Sequence, residues 1–230
     1  MKKYELTDET VKIGGHTLHR IKALVDFGYV KAGDIGGWIE KGENLSQDGD
    51  AWVYKNARVY GDARVAGNVQ VYGNSLIYDG AWVYGSASIY DSAQVYGSAE
   101  VYGSARVYGN ARVYGDAQVY GSTRVYDNAL VYGSALVDGN PHIGGGACVR
   151  DNTHYVEVGP IGSWNYTVTF VRDRKGEIFA KVGCFFGTLD EFRKKVEETH
   201  GDNAHAEAYL LAAKLAEVRI DTTPIDDEGK

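Results

Sequence analysis

The chain has 230 residues, 44% of them hydrophobic, enough to build a core for one or two domains. Its 18 Tyr and 30 Gly stand against 3 Pro and 1 Met, a skew that points to one repeated pattern. The net charge is −7, and residues 51–152 are close to neutral, so neither the basic stripe of a nucleic-acid binder nor the acidic stripe of a DNA mimic is present.

The opening "MKKYELTDET" is charged and leads into no apolar run, so no signal peptide is expected. No stretch of about 18 apolar residues exists to span a membrane, and a cytoplasmic protein is expected. Cys148 and Cys184 are too few for a disulfide framework or a cysteine-based metal site, so both are read as reduced thiols. Residues 1–50 are expected to form an N-terminal cap. "TLHRIKALVDF" has short alternating runs. Ile39 and Leu45 stand twelve and six residues before Ala51, which places the first turn of the repeat there, with Trp38 and Trp52 plugging or covering its end.

From Val53 to Val149 an aliphatic residue recurs every six positions without a gap, and two residues before each stands a small or modest side chain. The unit is A-x-V-Y-G-x. Its period of two predicts a short strand, with Ala and Val facing one way and x and Tyr the other. The position after Tyr is usually Gly; elsewhere it is mostly Asp, at Asp79, Asp91, Asp127 and Asp151, and once Lys55. Gly and Asp share tolerance for positive φ, so a left-handed backbone is expected at this corner. Three units make a triangular turn of 18 residues. Residues 51–152 then form roughly 5.7 turns, about 27 Å at ~4.8 Å per strand spacing. Thirteen tyrosines follow the aliphatic residue and fall into three outward columns. Stacked tyrosines cover a sheet and suit strands; they also make an aromatic surface for another protein or another copy of this one.

The spacing V-x-x-x-A-x resembles the hexapeptide repeat of left-handed parallel β-helices. Residues 26–54, "DFGYVKAGDIGGWIEKGENLSQDGDAWVY", resemble the opening of YdcK-like proteins. This resemblance covers about residues 20–152. It implies a single-stranded left-handed parallel β-helix; the handedness comes from the resemblance alone, since general crossover rules favour the opposite hand.

After Thr153 the pattern changes. "NYTVTFVR", "DRKG" and "EIFAKVG" predict a hairpin with its turn at Asp173–Gly176. "TLDEFRKKVEETHG" predicts a helix with a capping box at Thr188 and Glu191 and a stop at Gly201, and "AHAEAYLLAAKLAEVRI" a second helix. The fold class is therefore mainly β: a cap (1–50), a β-helix (51–152), a small α+β domain (153–220) and a disordered acidic tail (221–230). "GCFFGTLDEF" and "THGDN" resemble segments of uncharacterised phage and prophage proteins, which implies a phage or prophage origin.

Many left-handed β-helix proteins are acyltransferases that bind acyl-CoA between coils, so this is the enzymatic alternative. His142, in "GNPHIGGG", is the one histidine of the coil and is expected on the exposed surface. No inserted loop is available to grip the cofactor, and no cofactor is expected. Cys184, His200 and Asp202 suggest a Cys-His-Asp arrangement, but each also fits a structural place: a strand end, a last helical turn and a helix start. The favoured reading is a non-enzymatic interaction protein binding a host or phage protein, in the host cytosol, as an inhibitor of a defence system would. The contact surface is expected at Tyr96, Tyr102, Tyr108, Tyr114 and Tyr120 with Arg106, Arg112 and Arg124, since Tyr and Arg dominate hot spots. Trp164, Tyr166, His200, Asp202 and Asn203 form a second candidate surface. A homodimer or homotrimer, a virion shaft and a small-molecule sponge with a pocket at the coil–cap junction are the other readings.

Overall fold

The computed structural model describes residues 2–225. Three strands open the chain: β1 (Tyr4–Ile13), β2 (His16–Ala23) and β3 (Ile35–Ile39). Seventeen two-residue strands follow, from β4 (Trp52–Val53) to β20 (Cys148–Val149), one for each aliphatic position of the repeat. The first fourteen each pair in parallel with the strand 18 residues further on, as Arg106 with Arg124 and Val107 with Val125. A β-solenoid of three flat faces results. Face one carries the column Tyr54 to Tyr126, face two Tyr60 to Tyr132, and face three Tyr84, Tyr102 and Tyr120. Strands this short are locked by their neighbours: Tyr108 N–H donates to the Val125 carbonyl and Arg106 N–H to that of Thr123.

The repeating Val, Ile and Ala side chains are fully buried and form one continuous core. Each Val contributes on the order of 1.5–3 kcal/mol of burial before entropy is charged. The corners behave as the repeat predicts: every one from Lys55 to Gly145 has positive φ, including Asp79, Asp91 and Asp127. Those three carboxylates accept the backbone N–H of the next corner in the stack, at Gly97, Gly109 and Gly145. Asp151 is the exception. It has no left-handed backbone, because the coil ends there, and its carboxylate accepts from the Thr153 N–H instead.

Two expectations about the start of the coil are corrected. Ile39 and Leu45 do not join the Ala column; they pair with Val59 and Val65 and so occupy the aliphatic column. The first coil has 20 residues where later coils have 18, because Leu45 and Val53 are separated by two residues more than the repeat allows. Of the two tryptophans, only Trp52 is buried, edge-on to Tyr4 and Phe27. Trp38 lies on the outside under the Arg20 guanidinium, 4.2 Å from its ring centroid. The hairpin β1–β2 pairs through β2 with β3 and closes the open edge of face two.

The other end is covered by an antiparallel meander of β21 (Tyr155–Ile161), β22 (Tyr166–Arg172), β23 (Ile178–Val182) and β24 (Phe185–Thr188). The helices α1 (Leu189–His200) and α2 (Ala204–Arg219) pack on it through Phe170, Phe192, Tyr209 and Ala213. The hairpin turn, the capping box at Thr188 and Glu191 and the stop at Gly201 stand where the sequence put them. His142 N–H donates to Thr169 Oγ1, and Tyr155 Oη to the Leu136 carbonyl, fastening the domain to the last coil. The expected disorder over 221–230 fails for its first five residues. Arg172, fully buried, donates to the carbonyls of Asp221 and Thr223, and Ile225 N–H donates to that of Arg174. Residues 226–230 lie outside the described residues.

Candidate functional site

The tyrosine columns are ladders of stacked rings. On face two Tyr60, Tyr78, Tyr96, Tyr114 and Tyr132 lie 4.9–5.2 Å apart between centroids. On face three Tyr84, Tyr102 and Tyr120 lie 4.7 Å apart. The spacing is that of the strands beneath, so backbone pairing sets the ring stacking. Stacking covers the faces of the inner rings with their neighbours, whereas Tyr132, at the end of its ladder, is buried and its hydroxyl accepts from the Cys148 thiol. Burial pushes the phenols of Tyr54, Tyr78, Tyr84 and Tyr126 up to about 12, so these hydroxyls stay neutral donors.

Face one is different. Gln70 Oε1 accepts from the Tyr54 and Tyr72 hydroxyls, and those two rings stack at 4.6 Å. A second stack begins at Tyr90 and runs through Tyr108 to Tyr126. Between Tyr72 and Tyr90 the ladder breaks. A notch of about 420 Å³ opens there, lined also by Gly73, Ser88, Asp91 and Arg106. Ser88 is the small outward side chain that leaves the space. Arg106 and Arg124 stand side by side in register along this face. Like charges on adjacent strands repel, so the pair is a cost that the fold itself does not require. The carboxylate of nearby Asp91 is engaged with Gly109 N–H.

The structure divides the eight coil residues singled out in sequence among three faces. Arg106, Arg124 and Tyr108 share face one. Tyr96, Tyr114 and Arg112 share face two. Tyr102 and Tyr120 lie on face three, beside Trp82, which is 45% exposed and tilted against Tyr84. No flat partner touches all eight. Trp82 and Ser88 escaped the sequence reading; the signal was a bulky and a small residue at the outward x position.

His142 is half-buried at the junction between the coil and the C-terminal domain, not on the open surface. Burial first, then Arg124 and Lys181, hold its imidazole below its ordinary pKa. Of the five C-terminal candidates, Trp164, Tyr166 and His200 line one pocket, together with Cys184. It lies within the C-terminal domain, not at the coil–cap junction, because its walls come from β22 to β24 and the two helices. Asp202 borders a different hollow, with Glu197, Ala206 and Leu210. Asn203 caps α2, accepting from the N–H groups of His205 and Ala206. The chain therefore does not bring Cys184, His200 and Asp202 to one pocket. Among the described residues no group of three or more His, Cys, Asp or Glu is placed to hold a metal ion, and no helix is long and apolar enough to cross a membrane.

A family model described as "YdcK Beta solenoid repeat" matches residues 57–73, 105–121 and 124–139. The coil is a YdcK-like repeat β-solenoid. All three matched segments lie inside the regular 18-residue coils, and none reaches the cap or the C-terminal domain. No curated protein matches the chain. The YdcK-like coil runs without an inserted loop from β4 to β20, so its three faces are continuous.

Proposed function

We propose that this protein is a non-enzymatic interaction module that uses face one of its solenoid to grip an acidic segment of another protein. The notch between Tyr72 and Tyr90 carries this reading. It is the place on the coil where a ladder of closed ring stacks opens beside an arginine, and a carboxylate entering it would meet Arg106 with Arg124 one strand away. Such a charge-assisted pair, ringed by tyrosine, is a hot-spot arrangement. Two arginines in a chain of net charge −7 are too few for the many phosphate contacts that drive nucleic-acid binding.

The resemblance of two C-terminal segments to phage and prophage proteins supports a phage origin. It suggests a partner in the host cytosol, such as a component of a defence system. The test is retention of a host protein from lysate by tagged wild-type chain, by Arg106→Glu and by Ser88→Trp, which fills the notch. A protein held at low salt by the wild type and lost from both variants supports the reading. Equal retention by all three, or none by the wild type, ends it. Light scattering behind a sizing column separates the rival readings: a trimer would revive the acyltransferase and shaft alternatives, whereas a monomer leaves all three faces open.

A further inference from the structure

The C-terminal domain holds a pocket of about 450 Å³, within the size range of small-molecule sites. Its walls are aromatic and are held by one another. Phe192 meets Tyr209 edge-to-face at 5.9 Å, and His200 stacks on Tyr209 at 5.5 Å. Two turns are shaped to admit the rings. A Cβ on Gly162, where φ is +73°, would collide with the Tyr209 hydroxyl, and one on Gly183 would come within 3.2 Å of the Tyr166 ring. At the mouth stand Trp164, 76% exposed, and Tyr166, 46% exposed. Among the described residues Trp164 forms no aromatic pair, while Tyr166 stands near Tyr209 across the pocket. Its polar groups are Lys195, Thr199, His200, the Cys184 thiol and the Tyr166 and Tyr209 hydroxyls, and no Asp or Glu is among the lining residues. In a chain of net charge −7, this cavity carries a lysine as its one fully charged lining residue, and the Lys195 ammonium lies 3.6 Å from the exposed Glu198 carboxylate just outside the lining.

We propose that this pocket binds a small planar aromatic or heteroaromatic molecule bearing an acidic group. Its ring would slide between Trp164 and Tyr166 toward Phe192, and its anionic end would face Lys195. The pre-formed walls spare the ordering cost that a flexible site would incur. The aromatic ring accounts for the open Trp164 face, and the acid would take the place of the solvent-exposed Glu198 carboxylate beside Lys195. The site is separate from the notch on face one, so either reading can fail alone.

The experiment uses the full chain and two fluorescent probes: 1-anilinonaphthalene-8-sulfonate, an aryl anion, and N-phenyl-1-naphthylamine, its uncharged relative. The anion is expected to saturate at one molecule per chain and to bind about tenfold more tightly than the neutral probe. Trp164→Ala, at an exposed position that leaves the fold intact by circular dichroism, should weaken the anion about tenfold. Lys195→Ala should weaken the anion and leave the neutral probe unchanged. Failure of the anion to saturate, or the same affinity in Trp164→Ala as in wild type, overturns the pocket. Equal binding of the two probes, or no effect of Lys195→Ala, overturns the choice of an acidic ligand.

Discussion

Tyr96 sits in the middle of the face-two ladder, 4.9 Å from Tyr78 and 4.9 Å from Tyr114, with interplanar angles of 5° and 2°. Tyr120 ends the face-three ladder and stacks on one ring, Tyr102. A stacked aromatic pair contributes about 0.5–1.5 kcal/mol beyond its buried area. Tyr96→Ser removes two such pairs along with the half-buried ring, for a loss of about 2–4 kcal/mol; Tyr120→Ser removes one pair and should cost about half as much. Urea denaturation followed by far-ultraviolet circular dichroism measures both. A double-mutant cycle makes the test sharper. Tyr96 and Tyr114 should couple by about 1 kcal/mol, whereas Tyr96 and Tyr102, on different faces, should couple by less than about 0.5 kcal/mol. If Tyr96→Ser leaves stability within about 0.5 kcal/mol of wild type, or if the two couplings are equal, the ladders do not hold the coil and their tyrosines are free to serve binding alone.

Gly109 has φ of +68°, and a Cβ there would lie 2.8 Å from the Asp127 nitrogen, so Gly109→Ala should cost about 2–3 kcal/mol. Gly146, open on all sides and without positive φ, is the control: Gly146→Ala should stay within about 0.5 kcal/mol in the same melts. The ladder phenols also predict an alkaline transition. Their folded pKa values are raised above the ordinary 10, so the folded state keeps protons that the unfolded chain releases. That stabilisation is complete below pH 10 and is lost as pH rises through about 12. Tyrosinate absorbance at 295 nm should therefore rise together with loss of circular dichroism; tyrosines that titrate near pH 10 in a coil that stays folded would contradict the assignment.

The six-residue period was enough to read the solenoid, because a core one Val wide leaves no freedom in where the strands fall. Corner geometry was legible for a similar reason: Asp and Gly replace each other where a left-handed backbone is required. The first coil was not legible. Two extra residues between Leu45 and Val53 shift the phase of Ile39 and Leu45, and a fixed period cannot register a bulge. Strand β21, "YVEVGPI", carries Gly and Pro that mask its alternation, and β24 has four residues, too few to show a period. The notch on face one depends on where Gln70 draws two hydroxyls, a side-chain event that no pattern of residue types records. The C-terminal pocket gathers residues from 164 to 209, so the sequence suggested three of its members without the walls that join them.

The 18-residue coil has a geometric consequence for how this chain tolerates insertion and deletion. Loss of three consecutive hexads would shorten the rod by one strand spacing, about 4.8 Å, and return every later residue to its original face. Loss of one hexad would instead turn everything downstream by a third of a revolution. The C-terminal domain would then grow from the coil with its pocket beside a different tyrosine ladder. Length and bearing are thus separate settings in this molecule, one counted in coils and the other in single repeats.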